Sequence, residues 1–195
     1  MHRMKRKQLI RTAKDLFFRY GIKRVTVEEI CKEAGVSKMT FYKHFKNKNE
    51  LVRTWITEMT DEAMERYKTL MKRNIPFEEK VRETIKMKLE GSDQMSQEFF
   101  SDYLPHADPE LHDFIHQRMH KAAGMLIEDY AEAQSRGEIR QDMKIEFMLW
   151  YLNKMLDLME DESLQKLYDN PQDLIMEMVN FFFYGIMPRS YEPGM

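Results

Sequence analysis

The stretch over residues 26–51 constrains the fold of this chain more than any other, because signals that start and stop helices follow one another closely there. Thr26, followed three residues later by Glu29, is the signature of a capping box, in which each side chain hydrogen-bonds to the other residue's backbone. Gly35 can adopt the left-handed conformation that ends a helix, and Ser37 is a favoured N-cap for the next one. The spacing therefore predicts two short helices joined by a tight turn, a helix-turn-helix.

Apolar residues recur at helical spacing through both predicted helices. Val27, Ile30 and Ala34 form one stripe, and Phe41 and Phe45 lie one turn apart in the second helix. Lysines and other hydrogen-bond donors occupy most of the remaining positions of the second helix. One face is therefore expected to be buried, and the other to present donors to a polyanion such as DNA.

These residues resemble the DNA-binding motif of the tetracycline-repressor (TetR) family of transcriptional regulators. The matching residues are Thr26, Ile30, Ala34, Gly35, Val36, Ser37, Thr40, Phe41, Tyr42, His44, Phe45, Lys48, Glu50 and Leu51. Met39 departs from the pattern, because the family often has a small residue there. The resemblance implies an all-α protein of about nine helices, with an N-terminal three-helix DNA-binding domain and a larger helical domain that binds an effector and dimerises.

The motif also assigns expected roles within the DNA contact, position by position. Base edges are expected to be read by side chains from the first turns of the second helix: Lys38, Met39, Thr40 and Lys43. Phosphate contacts, which supply most of the affinity, are expected from Thr26, Ser37, Tyr42, His44 and Lys48. Gly35, Val36, Phe41 and Phe45 are expected to be structural.

Composition and charge agree with a helical DNA-binding protein. The chain has only 7 Gly and 6 Pro but 18 Met, which favours helices throughout. Residues 1–53 contain 15 Lys and Arg against 5 Asp and Glu, whereas residues 54–195 contain 16 against 28. A basic N-terminal part followed by an acidic remainder is typical of a DNA-binding domain joined to a second domain. We expect a DNA-binding domain over 1–47 and an effector-binding and dimerisation domain over 48–195.

A pocket for an effector is expected in the second domain because the family resemblance implies one. Its candidate lining residues are Trp55, Met59, Phe99, Tyr103, Met119 and Met125. Methionine and aromatic linings suit a small apolar or amphipathic effector, and the acidic balance of the body slightly favours a neutral or cationic one. The alternative is that these residues are simply the packed core.

The last two predicted helices, over about residues 142–161 and 171–187, are apolar on every side, which indicates that a second copy of the chain covers their outer face. The resemblance implies the same four-helix interface between subunits. The expected interface residues are Phe147, Trp150, Tyr151, Met155, Met178, Phe182 and Phe183. The alternative is burial of these side chains within one protomer.

The remaining sequence features predict no catalytic or metal chemistry. His112, His116 and His120 are spaced four residues apart, and a pair of them could share a metal ion, but we interpret the row as a polar helix face. Cys31 is expected to be a small core residue, and we expect no cofactor. The chain shows no phosphate-binding glycine loop, no nucleophile elbow, no signal peptide and no long apolar run, so we expect a cytoplasmic protein that is not an enzyme.

Taken with the resemblance, these features predict a ligand-responsive transcriptional regulator, a repressor. It is expected to bind a palindromic operator as a homodimer and to be released by a small molecule. The alternative is an architectural DNA-binding protein with no effector, which would show weak sequence preference.

Overall fold

The computed structural model of the protein describes residues 2–103 and 109–188, which contain ten helices and no strand. The helices are α1 (His2–Tyr20), α2 (Val27–Glu33), α3 (Lys38–Tyr42), α4 (Lys48–Met71), α5 (Phe77–Ser92), α6 (Gln97–Tyr103), α7 (Pro109–Ser135), α8 (Ile145–Met159), α9 (Glu162–Gln165) and α10 (Pro171–Ile186). The all-α prediction is confirmed. The helix that the sequence pattern did not predict is α9, a single turn capped by the Asp161 side chain.

The chain forms two compact units, and two of the three borders between them fall inside helices. The first unit comprises the chain up to Ala63 together with Gln94–His116, and the second comprises Met64–Asp93 and the chain from Gln117 onward. Both α4 and α7 are continuous helices that belong to both units. The functional border that we expected at residues 47/48 remains a prediction.

The first unit contains the helix-turn-helix and one helix that lies much later in the chain. Phe17, Ile30, Phe41 and Leu51, from α1 to α4, are all fully buried. Helix α6 packs against this group of helices, and the ring of Phe99 lies 4.8 Å from that of Phe18 and 5.9 Å from that of Trp55. The ring centroids of Phe18 and Trp55 also lie 5.9 Å apart. Helix α6 therefore contributes to the core beside the predicted DNA-binding domain.

The second unit has its own hydrophobic core, built from α5, α7, α8 and α10. Its buried members are Phe77, Val81, Tyr130, Ala133, Ile139, Met148, Val179, Phe182, Phe183 and Ile186. Phe77 and Tyr130 meet edge to face, with ring centroids 6.0 Å apart. The turn after α7 is held by the amide of Gln134, which donates to the carbonyls of Arg140 and Met143 at 2.9 and 2.7 Å. None of the helices in the described part of the chain is long and apolar enough to cross a membrane.

Candidate DNA-binding site

Helix α2 begins with the capping box that its sequence predicts. The backbone N–H of Glu29 donates to Thr26 Oγ1 at 3.2 Å, and the backbone N–H of Thr26 donates to Glu29 Oε2 at 2.8 Å. The hydrogen bonds that the backbone N–H and the hydroxyl of Thr26 donate to the Glu29 carboxylate hold the pKa of Glu29 below its usual value. The Thr26 hydroxyl also donates to Glu29 at 2.9 Å, so this side chain already has a structural role.

The turn between α2 and α3 is closed by a glycine in the left-handed conformation. Gly35 has φ +62°, which an L side chain rarely adopts. Its N–H donates to the carbonyl of Lys32 at 3.2 Å, and the N–H of Val36 donates to that of Cys31 at 2.9 Å, as in a Schellman motif. Ser37 Oγ then accepts from the N–H of Thr40 at 3.2 Å and caps α3. These contacts fix the angle between the two helices.

Helix α3 buries one side and exposes the other. Phe41 is fully buried, whereas Met39 is 70% exposed and Tyr42 is 57% exposed. Lys38 and Lys43 are also exposed, and Thr40 and His44 are half-buried. The side chains expected to read base edges therefore lie together around the outer face of one short helix.

Within this surface, Lys38 has an acidic neighbour on α2 that the sequence pattern did not predict. Its ammonium group pairs with the Glu28 carboxylate of α2, and this contact raises the pKa of Lys38 and lowers that of Glu28. Both side chains are well exposed, so water screens the pair and it is weak. Lys38 must leave Glu28 to reach a guanine, whereas no such ion pair is described for Lys43.

Lys48, expected to contact phosphate, is engaged within the protein. Its ammonium group donates to the backbone carbonyls of Ile22, Lys23 and Val25 at 2.8, 3.1 and 3.0 Å. An ammonium group has three N–H donors, so these contacts use all of them. Burial lowers the pKa of Lys48, although nearby carboxylates act in the opposite direction. The geometry favours a structural role for Lys48, that of holding the loop between α1 and α2.

We therefore expect Lys48→Ala to lower the free energy of unfolding by about 2 kcal/mol, because three carbonyls lose a charged donor. Thermal or urea unfolding measures this effect. The salt dependence of DNA binding separates the two roles. A phosphate contact would lower the slope of log K against log salt by about 1, whereas a purely structural role leaves the slope unchanged.

The comparisons with known proteins point to one family. The family model described as bacterial regulatory proteins, tetR family, matches residues 9–54, which run from within α1 to the first turns of α4. The chain is 25% identical over 194 residues to the uncharacterized HTH-type transcriptional regulator YdgC of Bacillus subtilis (strain 168), and the match covers 95% of this chain and 94% of that protein. Residues 9–54 form a DNA-binding domain of the TetR family.

Solved structures share the fold of this chain along nearly its whole length. The fatty acid degradation regulator FadR from Bacillus halodurans superimposes with a TM-score of 0.73 at 19% identity, covering 95% of this chain and 97% of that chain. FadR from Bacillus subtilis, solved in complex with stearoyl-CoA, superimposes with a TM-score of 0.68 at 20% identity, covering 92% and 98%. These two likenesses show that the architecture beyond residue 54 is also that of TetR-like regulators.

The residues expected to line an effector pocket are distributed over both units of the regulator. Trp55, Phe99 and Tyr103 are buried in the aromatic cluster of the first unit, where the rings of Phe99 and Tyr103 lie 5.2 Å apart. Met59 is half-buried in the same unit, whereas Met119 and Met125 belong to the second unit. Close ring packing favours a core role for the three aromatic residues. The pocket assignment itself remains a prediction.

The residues expected at a dimer interface divide into a buried and an accessible set. Phe182 and Phe183 lie in the core of the second unit, so they offer little surface to a partner. Tyr151, Met155 and Met178 are half-buried, and Phe147 and Trp150 are exposed with their rings stacked at 6.0 Å. Two residues outside the expected set, Phe181 and Tyr184, are 70% and 77% exposed. We call Phe147, Trp150, Phe181 and Tyr184 the exposed aromatic face.

The three histidines of α7 are engaged with other groups. The imidazole rings of His112 and His116 lie 4.3 Å apart, and His120 Nδ1 lies 2.7 Å from Asn153 Oδ1. His120 is therefore a hydrogen-bonding partner of the Asn153 side-chain amide.

Proposed function

We propose that this TetR family regulator is a ligand-responsive repressor in the cytoplasm, which binds a palindromic operator as a homodimer and leaves it when an effector binds. The observation behind the DNA-binding part is the rigid helix-turn-helix. Its capping box and Gly35 turn fix α3, and the outer face of α3 exposes Met39, Tyr42 and Lys43. A recognition helix must present its side chains in this way to enter a major groove.

The dimer is supported by the exposed aromatic face. A monomeric soluble protein rarely leaves several large aromatic side chains in water, and here four of them project from two helices of the second unit. Regulators of the TetR family bind DNA operators as dimers. Two copies joined through α8 and α10 would present two recognition helices to the two halves of one palindrome.

The effector is supported by the fold and by what similar proteins bind. FadR from Bacillus subtilis was solved with stearoyl-CoA, and another structural relative, KstR2 of Mycobacterium tuberculosis, is named as a ketosteroid regulator. Both names point to amphipathic or apolar ligands. We propose a small effector of this general kind, whose preference for one conformer of the dimer would shift the distance between the recognition helices.

The test starts from a pool of random duplex DNA from which the purified protein selects its binding sites. We expect one inverted repeat to be enriched, and Lys43→Ala to relax the preference at particular base pairs while retaining affinity for the rest. Lys32→Ala, on the exposed side of α2, is the matched control and should leave the base preference unchanged. Weak enrichment without a consensus would instead support the architectural alternative.

A reporter gene placed behind the selected sequence then tests the direction of regulation. Repression by the wild-type protein is expected, and Lys43→Ala should weaken it, because one base contact of the operator is lost. Increased expression would identify an activator and contradict the repressor assignment.

A further inference from the structure

One lysine of α5 occupies a position where the helix otherwise buries its side chains. The buried residues of α5 are Phe77, Val81, Thr84 and Ser92, which recur every three or four residues and so form one stripe along the helix. Lys88 lies four residues after Thr84 and four before Ser92, in the middle of that stripe. Its side chain is nevertheless exposed to solvent. An exposed side chain between two buried ones on the inner face of a helix indicates a recess.

The electrostatic environment of Lys88 agrees with a recess and not with an open surface. Desolvation by the surrounding protein lowers the pKa of Lys88, and no nearby charge contributes to the shift. A lysine on an open helix surface keeps its hydration and is not affected in this way. In the part of the chain that the structure describes, no carboxylate forms an ion pair with the ammonium group of Lys88.

The backbone around Lys88 is held in place by several hydrogen bonds. Ser92 Oγ donates to the carbonyl of Lys88 at 3.0 Å. The amide of Gln172, in the first turn of α10, donates to the carbonyl of Leu89 at 2.8 Å and lies 3.2 Å from Ser92 Oγ. Helix α5 is thus anchored to α10 directly after Lys88. A positive charge with no described partner is held at a fixed place, next to partly buried apolar residues such as Ile85.

We propose that Lys88 binds an anionic group of the effector, a carboxylate or a phosphate, whose apolar part packs against the neighbouring core of the second unit. This inference rests on the proposed function and replaces our expectation from composition of a neutral or cationic ligand. An anion beside Lys88 would offset the cost of keeping a desolvated ammonium group charged, whereas a neutral ligand would leave that cost in place.

Decanoate and 1-decanol test the proposal, because they share an alkyl chain and differ in charge. Calorimetric titration of the full-length protein should show that decanoate binds at least about ten-fold more tightly than decanol. Lys88→Met should abolish this preference and leave decanol binding unchanged. Lys88→Arg should retain the preference. Decyl phosphate, compared with decanoate in the same titration, distinguishes a phosphate from a carboxylate ligand.

Lys86→Met is the matched control, since residue 86 lies on the opposite side of α5 and is exposed. It should leave the preference for decanoate intact. The proposal is overturned if the wild-type protein shows no preference for decanoate, including the case where neither compound binds, or if the preference survives in Lys88→Met.

Failure of this inference can be told apart from failure of the proposed function. Lys88→Met should bind the selected operator as tightly as the wild-type protein in the absence of ligand, because Lys88 lies outside the helix-turn-helix. If an uncharged compound releases the operator and Lys88→Met does not change that release, the anion site is wrong and the repressor stands. If no operator is bound at all, the proposed function fails whatever the decanoate titration shows.

Discussion

Trp150→Glu is expected to turn the proposed dimer into a monomer and to weaken operator binding by about a hundred-fold or more. Trp150 is 56% exposed in the single chain and stacks on Phe147. A two-fold interface brings the same patch of both copies together, so the substitution would place two unpaired carboxylates in an apolar contact. The loss of DNA affinity follows because two linked DNA-binding domains bind with an affinity about 10²–10⁴-fold higher than that of a single domain.

Sedimentation equilibrium and DNA titration measure both effects of Trp150→Glu. Leu167→Glu is the matched control, because Leu167 is an exposed apolar residue in the segment between α9 and α10, outside the exposed aromatic face. It should remain dimeric with unchanged affinity. If Trp150→Glu is dimeric and binds the operator within about three-fold of the wild-type protein, the interface lies elsewhere.

Gly21→Ala is expected to lower the free energy of unfolding by about 3 kcal/mol, whereas Gly35→Ala should cost only about 1 kcal/mol. Both glycines are in the left-handed region, with φ +80° and +62°. A Cβ at Gly21 would meet Asp102 Oδ2 at 2.5 Å and the Glu98 carbonyl at 3.1 Å, whereas a Cβ at Gly35 would meet nothing within 4 Å. The difference between the two variants therefore isolates the contact with α6.

Urea denaturation of both variants measures this difference. The same contact includes a hydrogen bond from the backbone N–H of Lys23 to Asp102 at 2.9 Å, so the loop after α1 is held from α6 as well as by Lys48. Equal losses of stability in the two variants would show that α6 does not approach Gly21 as closely as described.

Local signals in the sequence predicted the helix-turn-helix well, because each signal lies within a few residues of what it controls. The capping box of Thr26 and Glu29, the left-handed turn at Gly35 and the N-cap at Ser37 are all confirmed. These features depend on backbone hydrogen bonds over three or four residues. A single sequence contains all the information that they require.

Contacts between distant residues could not be predicted in the same way. The three carbonyls that hold Lys48 lie at least 23 residues earlier in the chain, and nothing in the local pattern distinguishes a lysine that binds carbonyls from one that binds phosphate. Likewise, Phe99 on α6 is apolar and could pack against many surfaces. Only the tertiary structure shows that it meets Phe18.

Two features of the second unit could have been found from helical register. In α10, Val179, Phe182, Phe183 and Ile186 are buried and fall on one stripe, which leaves Phe181 and its neighbours for the outer face. Because this helix is apolar on every side, its composition alone predicted that Phe182 and Phe183 lie in the dimer interface. In α5, the same periodicity places Lys88 among buried positions, although lysine is normally a surface residue.

The central claim is that two linked DNA-binding domains bind one palindromic operator. Changing the spacing of the operator's half-sites tests this claim most directly. The selected duplex is compared with one in which about five base pairs, half of a helical turn, are inserted at the centre of the palindrome. The insertion turns one half-site to the opposite face of the DNA. We therefore expect the affinity to fall by about a hundred-fold, to that of a single DNA-binding domain. Unchanged affinity for the lengthened duplex would contradict the account.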